Sequence, residues 1–216
     1  MVSIFSSQES AIVFVVSALV LAVTPGPGVV YIVTRTLAQG RVAGFASVLG
    51  VAAGNFANTV AAAAGLAAVL LVSSTAFLAL KYAGAGYLIY LGAKALLADR
   101  RVDSGPSAPK VKAQRVFLDG FCVALLNPKT ALFFAAFLPQ FAVPNPPFGA
   151  LVALGALFVG IALLTDGVYV LFASRVFSWL SRRRNSGKLV SRAAGISLIG
   201  LGVFAAFFGT RTAQQP

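Results

Sequence analysis

Histidine is absent from this chain of 216 residues, and Cys122 is its only cysteine. Those shortages exclude an intramolecular disulfide, a zinc site of Cys or His ligands, a Ser-His or Cys-His catalytic centre and a dithiol relay. Most enzyme classes go with them. Charge is scarce too, at 10% of residues, where a soluble domain carries roughly a quarter. Acidic residues are the scarcest, 5 against 17 Lys and Arg, for a formal net charge of +12. In a soluble protein that excess would suggest a nucleic-acid partner. Here the basic residues lie mainly in short loops between apolar stretches, so the positive-inside bias explains them and no nucleic acid is expected. No basic residue precedes the first apolar run, so a cleaved signal peptide is not expected either.

What is abundant is apolar sequence: 59% of residues are hydrophobic and the mean hydropathy is +0.91. A bilayer span needs about 20 mostly apolar residues. Six stretches qualify, at 11–34, 43–72, 74–98, 116–141, 148–174 and 193–210. Basic residues then orient them. The first loop carries Arg35 and Arg41, the third Arg100, Arg101, Lys110, Lys112 and Arg115, and the fifth Arg175, Arg182, Arg183, Arg184, Lys188 and Arg192. The second and fourth carry none, so odd loops are expected to face the cytoplasm and both termini the outside.

The stretch 99–115, with Ser104-Gly105-Pro106-Ser107-Ala108-Pro109 at its centre, reads as a flexible linker. It separates a first three-helix unit, 1–98, from a second, 116–216. An odd number of spans per half makes any repeat an inverted one. Tyr87-Leu88-Ile89-Tyr90-Leu91-Gly92 resembles Ser197-Leu198-Ile199-Gly200-Leu201-Gly202. The expected fold is an all-α polytopic membrane protein of six transmembrane helices, two inverted repeats of three, with the first and fourth helices broken.

The breaks are Thr24-Pro25-Gly26-Pro27-Gly28 and Asn127-Pro128-Lys129, each inside an apolar run. Proline has no amide hydrogen, so Pro25, Pro27 and Pro128 deprive the carbonyls of Leu21, Val23 and Ala124 of their helical donors. In hydrocarbon each unpaired group costs several kcal/mol, so broken backbone at this depth must face protein or a wet cavity. The half-helix starting near Gly28 also offers free amides and a positive dipole end to a carboxylate. The plainer alternative is a packing kink. Paired interruptions in two halves of a chain point instead to a transporter with its site at the midplane.

Lys129 falls about 20 Å into the fourth span and Asp166 about 13 Å into the fifth, at 1.5 Å per residue. Deep charges are costly and commonly functional. These two are read as the ionisable residues well inside the spans, interacting directly, through substrate or through water, with a structural ion pair as the alternative. Asn55, Asn58 and Thr59 share one face of the second span, lining a cavity or bonding neighbouring helices. Ala46, Gly50 and Gly54 form a small-residue stripe on that helix for close contact. Thr165 and Tyr169 are weaker candidates, and Lys81 and Lys94 are expected to snorkel.

Together, Thr-Pro-Gly-Pro-Gly at 24–28, Gly50-x-x-x-Gly54-Asn55, Gly86-Tyr87-Leu88-x-x-Leu91-Gly92, Phe117-x-x-Gly120-Phe121-x-x-x-Leu125-Leu126-Asn127-Pro128-Lys129 and Leu138-Pro139-Gln140-Phe141 resemble the LysE/RhtB amino-acid exporter family. The resemblance covers nearly the whole chain. It implies a bacterial inner-membrane protein of six spans, not an enzyme, that exports amino acids or derivatives under the proton-motive force without a cofactor. The expected partners are the lipid bilayer, a small-molecule substrate and H+, with a homo-oligomer left open. The expected transport residues are Thr24, Pro25, Gly26, Pro27, Gly28, Asn55, Asn58, Asn127, Pro128, Lys129 and Asp166, with Asp166 the proton carrier. The competing readings are an exporter of an inorganic or metal ion and a non-transporting membrane scaffold.

Overall fold

The computed structural model describes residues 5, 7–65, 73–99, 112–142, 146–180 and 186–208. Most of the expected linker, 100–111, lies outside these residues, as do 143–145 and the cluster Arg182-Arg183-Arg184. Eight helices make up the described chain: α1 Gln8–Val23, α2 Pro27–Gln39, α3 Arg41–Ala63, α4 Ser74–Asp99, α5 Ala113–Leu125, α6 Pro128–Phe141, α7 Phe148–Leu180 and α8 Ser186–Phe208. The described residues contain no strand beyond an isolated bridge between Phe5 and Ala142.

Both expected breaks are real. α1 and α2 meet at 48° and α5 and α6 at 55°, each across an interruption of four residues or fewer. Among the described residues, Arg41–Ala63, Ser74–Leu97 and Phe148–Val176 are each long and apolar enough to cross a bilayer. The two bent pairs, each taken as one span, raise that to five, and the sixth expected stretch contains a shorter apolar helix, Arg192–Phe207.

Local chemistry sets the helix ends. Ser7 caps α1, its hydroxyl accepting from the Ser10 amide at 3.1 Å, and Glu9 lies in the first turn, where the dipole favours negative charge. α2 and α6 both begin on proline, at Pro27 and Pro128, where the missing N–H costs no helical bond. α2 reverses into α3 through Gly40 alone, at φ 84°, a conformation that L side chains rarely adopt. Following the chain, Arg41, Arg115, Arg175 and Arg192 fall at one end of the bundle, the basic face.

Two glycine-lined contacts hold the helices together. α3 lies against α5 so closely that a Cβ on Gly50 would strike the Phe117 carbonyl, and one on Gly54 would come within 2.5 Å of the Phe121 carbonyl oxygen. This is the contact expected of the small-residue stripe. α4 and α8 cross antiparallel: a Cβ on Gly92 would lie 2.6 Å from the Gly195 carbonyl oxygen, and one on Gly202 would lie 2.8 Å from that of Ala85. Outward, the bundle is apolar, with Val20, Leu164, Phe172 and Phe207 all more than half exposed. Such a surface is at home in lipid and not in water.

Candidate transport site

A small cavity of about 60 Å³ lies where the two breaks meet. Leu21, Thr24, Gly26, Gly28 and Val29 line it from the first break, and Ala124, Asn127, Lys129 and Thr130 from the second. α3 contributes Val51 and Asn55, and α7 contributes Phe158, Ala162 and Asp166. Thr24, Gly26, Gly28, Asn55, Asn127, Lys129 and Asp166, spread over 142 positions of sequence, thus converge on one hollow.

The cavity carries both basic and acidic groups. Gly26 gives α2 no side-chain cap, and the helix's first bond runs from the Val30 amide to the Gly26 carbonyl. The Gly28 and Val29 amides therefore precede the first intrahelical bond, and both residues line the cavity. The Lys129 Nζ reaches the same corner, 3.9 Å from where a Cβ on Gly26 would stand. Asp166, 6% exposed, supplies a carboxyl group. Among the described residues no ion pair joins Lys129 to Asp166; the pair found is Arg35–Asp119.

The remaining expected residues serve the backbone. Asn58 does not reach the cavity: its side-chain amide donates to the Ala124 carbonyl at 2.9 Å, the oxygen that Pro128 leaves without its helical donor. Tyr169 does the same for the carbonyl that Pro27 frees, donating to Val23 at 2.8 Å. Asn127 lines the cavity, but its side chain is committed to capping α6. Its Oδ1 accepts from the Lys129 amide at 3.1 Å and its Nδ2 donates to Thr130 Oγ1 at 2.9 Å. Thr165 donates to the Ala162 carbonyl. Pro25 faces a different space, an apolar groove of about 820 Å³ between α2, α7 and α8.

Two charge assignments need correction. Arg35 is not a loop residue: it lies in α2, and its Nη2 donates to Asp119 Oδ2 at 3.0 Å, the two side chains 12% and 10% exposed. Lys129 and Asp166 are therefore not alone inside the spans. Lys81, expected to snorkel, is 4% exposed, with Nζ 5.5 Å from the centre of the Tyr82 ring. Thr130 and Phe158 of the cavity wall also escaped the sequence reading. Thr130 could have been suspected from its place in the first turn after the break; an apolar wall such as Phe158 leaves no such mark.

The family profile of the LysE type translocators matches residues 19–209, nearly the whole chain. The chain belongs to this family. It is therefore a multi-pass membrane transporter by kinship, consistent with its apolar helices. A homoserine/homoserine lactone efflux protein of Salmonella typhimurium is 30% identical over 77% of this chain and 82% of its own length. An uncharacterized membrane protein of Bacillus subtilis is 29% identical over 91% of this chain and 98% of its own. One of Pseudomonas aeruginosa is 28% identical over 88% and 91%. No solved structure matches.

Proposed function

We propose that this LysE-type translocator exports a small zwitterionic amino acid or amino-acid derivative across the bacterial inner membrane, by proton-coupled alternating access between two inverted three-helix halves, 1–98 and 116–216. The observation that carries the substrate class is the unpaired opposition of charge in one small hollow. The uncapped start of α2 and the Lys129 amine form a corner suited to a carboxylate, and Asp166 suits an ammonium group. A hollow of about 60 Å³ suits a small polar solute. Leu21, whose carbonyl lacks its helical donor, and Asn55 complete the polar lining. Homoserine, which the Salmonella relative's name gives as a substrate, is a small zwitterion of this kind; its lactone keeps only the ammonium group. In this reading Asp166 also carries the coupling proton.

The α4–α8 contact supports the inverted repeat. At the sequence offset of 110 between Tyr87–Gly92 and Ser197–Gly202, Gly92 corresponds to Gly202 and Ala85 to Gly195. A two-fold operation therefore exchanges the Gly92–Gly195 contact with the Gly202–Ala85 contact; the breaks at Pro25 and Pro128 correspond at a different offset, 103. With inverted halves and basic loops inside, both termini lie outside.

The test is efflux. Cells or vesicles loaded with labelled amino acids, homoserine and homoserine lactone among them, should release at least one in a protein-dependent, uncoupler-sensitive way. Absence of protein-dependent efflux across the panel would overturn the proposal. Release of one solute that an uncoupler leaves unchanged would overturn the proton coupling alone.

A further inference from the structure

The Arg35–Asp119 pair lies away from the cavity, toward the basic face. Arg35 is eight residues past Pro27 and Asp119 nine before Pro128, which places both about 12–14 Å along their half-helices from the breaks. Tyr87 of α4 joins them, its hydroxyl donating to Asp119 Oδ1 at 3.1 Å. Tyr31 sits beneath, the Arg35 guanidinium carbon 5.3 Å from its ring centre, its hydroxyl donating to the Val116 carbonyl at 2.8 Å. The cluster thus ties α2 and α4 to α5, across the two halves of the chain. On the far side of the cavity the closure is of another kind. Phe158 lines the cavity and packs against Phe133 and Phe134, with ring centres 5.0 and 5.1 Å away.

We propose that Arg35, Asp119 and Tyr87 form the gate of the transport cavity on the basic face, opening when their contacts part and water enters between α2 and α5. The chemistry suits a contact that must be both made and broken. Charges released on opening are rehydrated at once, so parting them does not carry the full penalty of a lone charge in hydrocarbon. The closed arrangement is also incomplete: among the described residues, Arg35 Nε is buried without a hydrogen-bond partner. A buried orphan donor is uncommon. It raises the closed state relative to an open one in which water satisfies the nitrogen, keeping the two within reach of each other. The aromatic closure opposite gains nothing from water and would part only by moving apolar rings.

The gate rests on the alternating-access reading, and its test needs no substrate. In a Cys122→Ser background, Ala162→Cys places a thiol on the cavity wall. Its modification by a membrane-impermeant, charged methanethiosulfonate is followed in intact cells and in inverted vesicles. Asp119→Asn should raise labelling from the basic face about tenfold or more, the scale of losing a hydrogen bond between charged groups. Tyr87→Phe should raise it less, and labelling from the other face should not change. Should Asp119→Asn fail to reach the membrane, Tyr87→Phe carries the test. No rise from the basic face, or equal rises from both faces, would overturn the gate. Solute efflux without a one-sided rise leaves the exporter standing and removes the gate; a one-sided rise without efflux does the reverse.

Discussion

The Asn58 amide donates to the Ala124 carbonyl at 2.9 Å across the α3–α5 interface, taking the place of the backbone donor that Pro128 cannot supply. A break in a membrane helix needs such a substitute, because lipid offers no donor. Asn58 is therefore expected to govern stability rather than solute recognition. The Asn127 amide also reaches the Ala124 carbonyl, at 3.1 Å, so the oxygen keeps one partner when Asn58 is lost. Asn58→Leu should cost about 1 kcal/mol, read as a lowered melting temperature in detergent. Efflux per folded molecule should hold. A drop in apparent substrate affinity at unchanged stability would place Asn58 in the site after all.

Tyr169 makes the matching repair at the first break. It reaches from α7 to the Val23 carbonyl, and Pro27 leaves that oxygen without its i+4 helical donor. Tyr169→Phe should cost about 1–3 kcal/mol, the penalty of an acceptor left without its donor. Tyr169→Phe combined with Asn58→Leu should be close to additive, since the two act at separate breaks. Thermal unfolding of the single and double variants checks both statements.

The breaks, the small-residue stripe and seven of the fifteen residues of the cavity wall were legible in the sequence, the breaks and the stripe because they rest on local covalent facts. Proline lacks an N–H wherever it stands, and Gly50 and Gly54 lack a Cβ whatever they meet. The gate cluster was not legible. Arg35 and Asp119 each sit near the end of an apolar run, where a charge ordinarily reaches water, and only the packing of α2 beside α5 brings them within 3.0 Å. Asn58 was read as a site residue for a related reason. An amide at membrane depth signals a polar need, but sequence does not say whether the need belongs to a solute or to a carbonyl 66 positions away. Lys81 was misjudged because snorkelling depends on which neighbours cover the side chain, a property of the packed bundle.

Two glycines of the family motifs should respond oppositely to alanine. A Cβ on Gly50 would collide with the Phe117 carbonyl, a backbone atom with no rotamer to yield, whereas one on Gly86 meets nothing within 4 Å among the described residues. Gly50→Ala should force α3 from α5 and cost about 1–3 kcal/mol. Gly86→Ala should be neutral or stabilise by up to about 1 kcal/mol, through helix propensity alone. Melting temperatures of the purified variants decide it, and a destabilised Gly86→Ala would mean that something unseen packs on that face.

Lys129 and Asp166 face the same cavity without an ion pair between them, and that separation makes a sharper prediction than either residue alone. If each meets its own end of a zwitterionic solute, Lys129→Met and Asp166→Asn should each reduce efflux about tenfold or more, the worth of one hydrogen bond to a charged group. The double variant should be worse than either, because neither substitution relieves the other. A pair kept only to neutralise two buried charges behaves differently: removing one partner strands the other, and removing both restores a tolerable interior. Efflux by the Lys129→Met, Asp166→Asn double variant is the measurement that separates the cases. Recovery toward the unsubstituted rate would assign both charges to structure and leave the solute to the backbone amides of Gly28 and Val29.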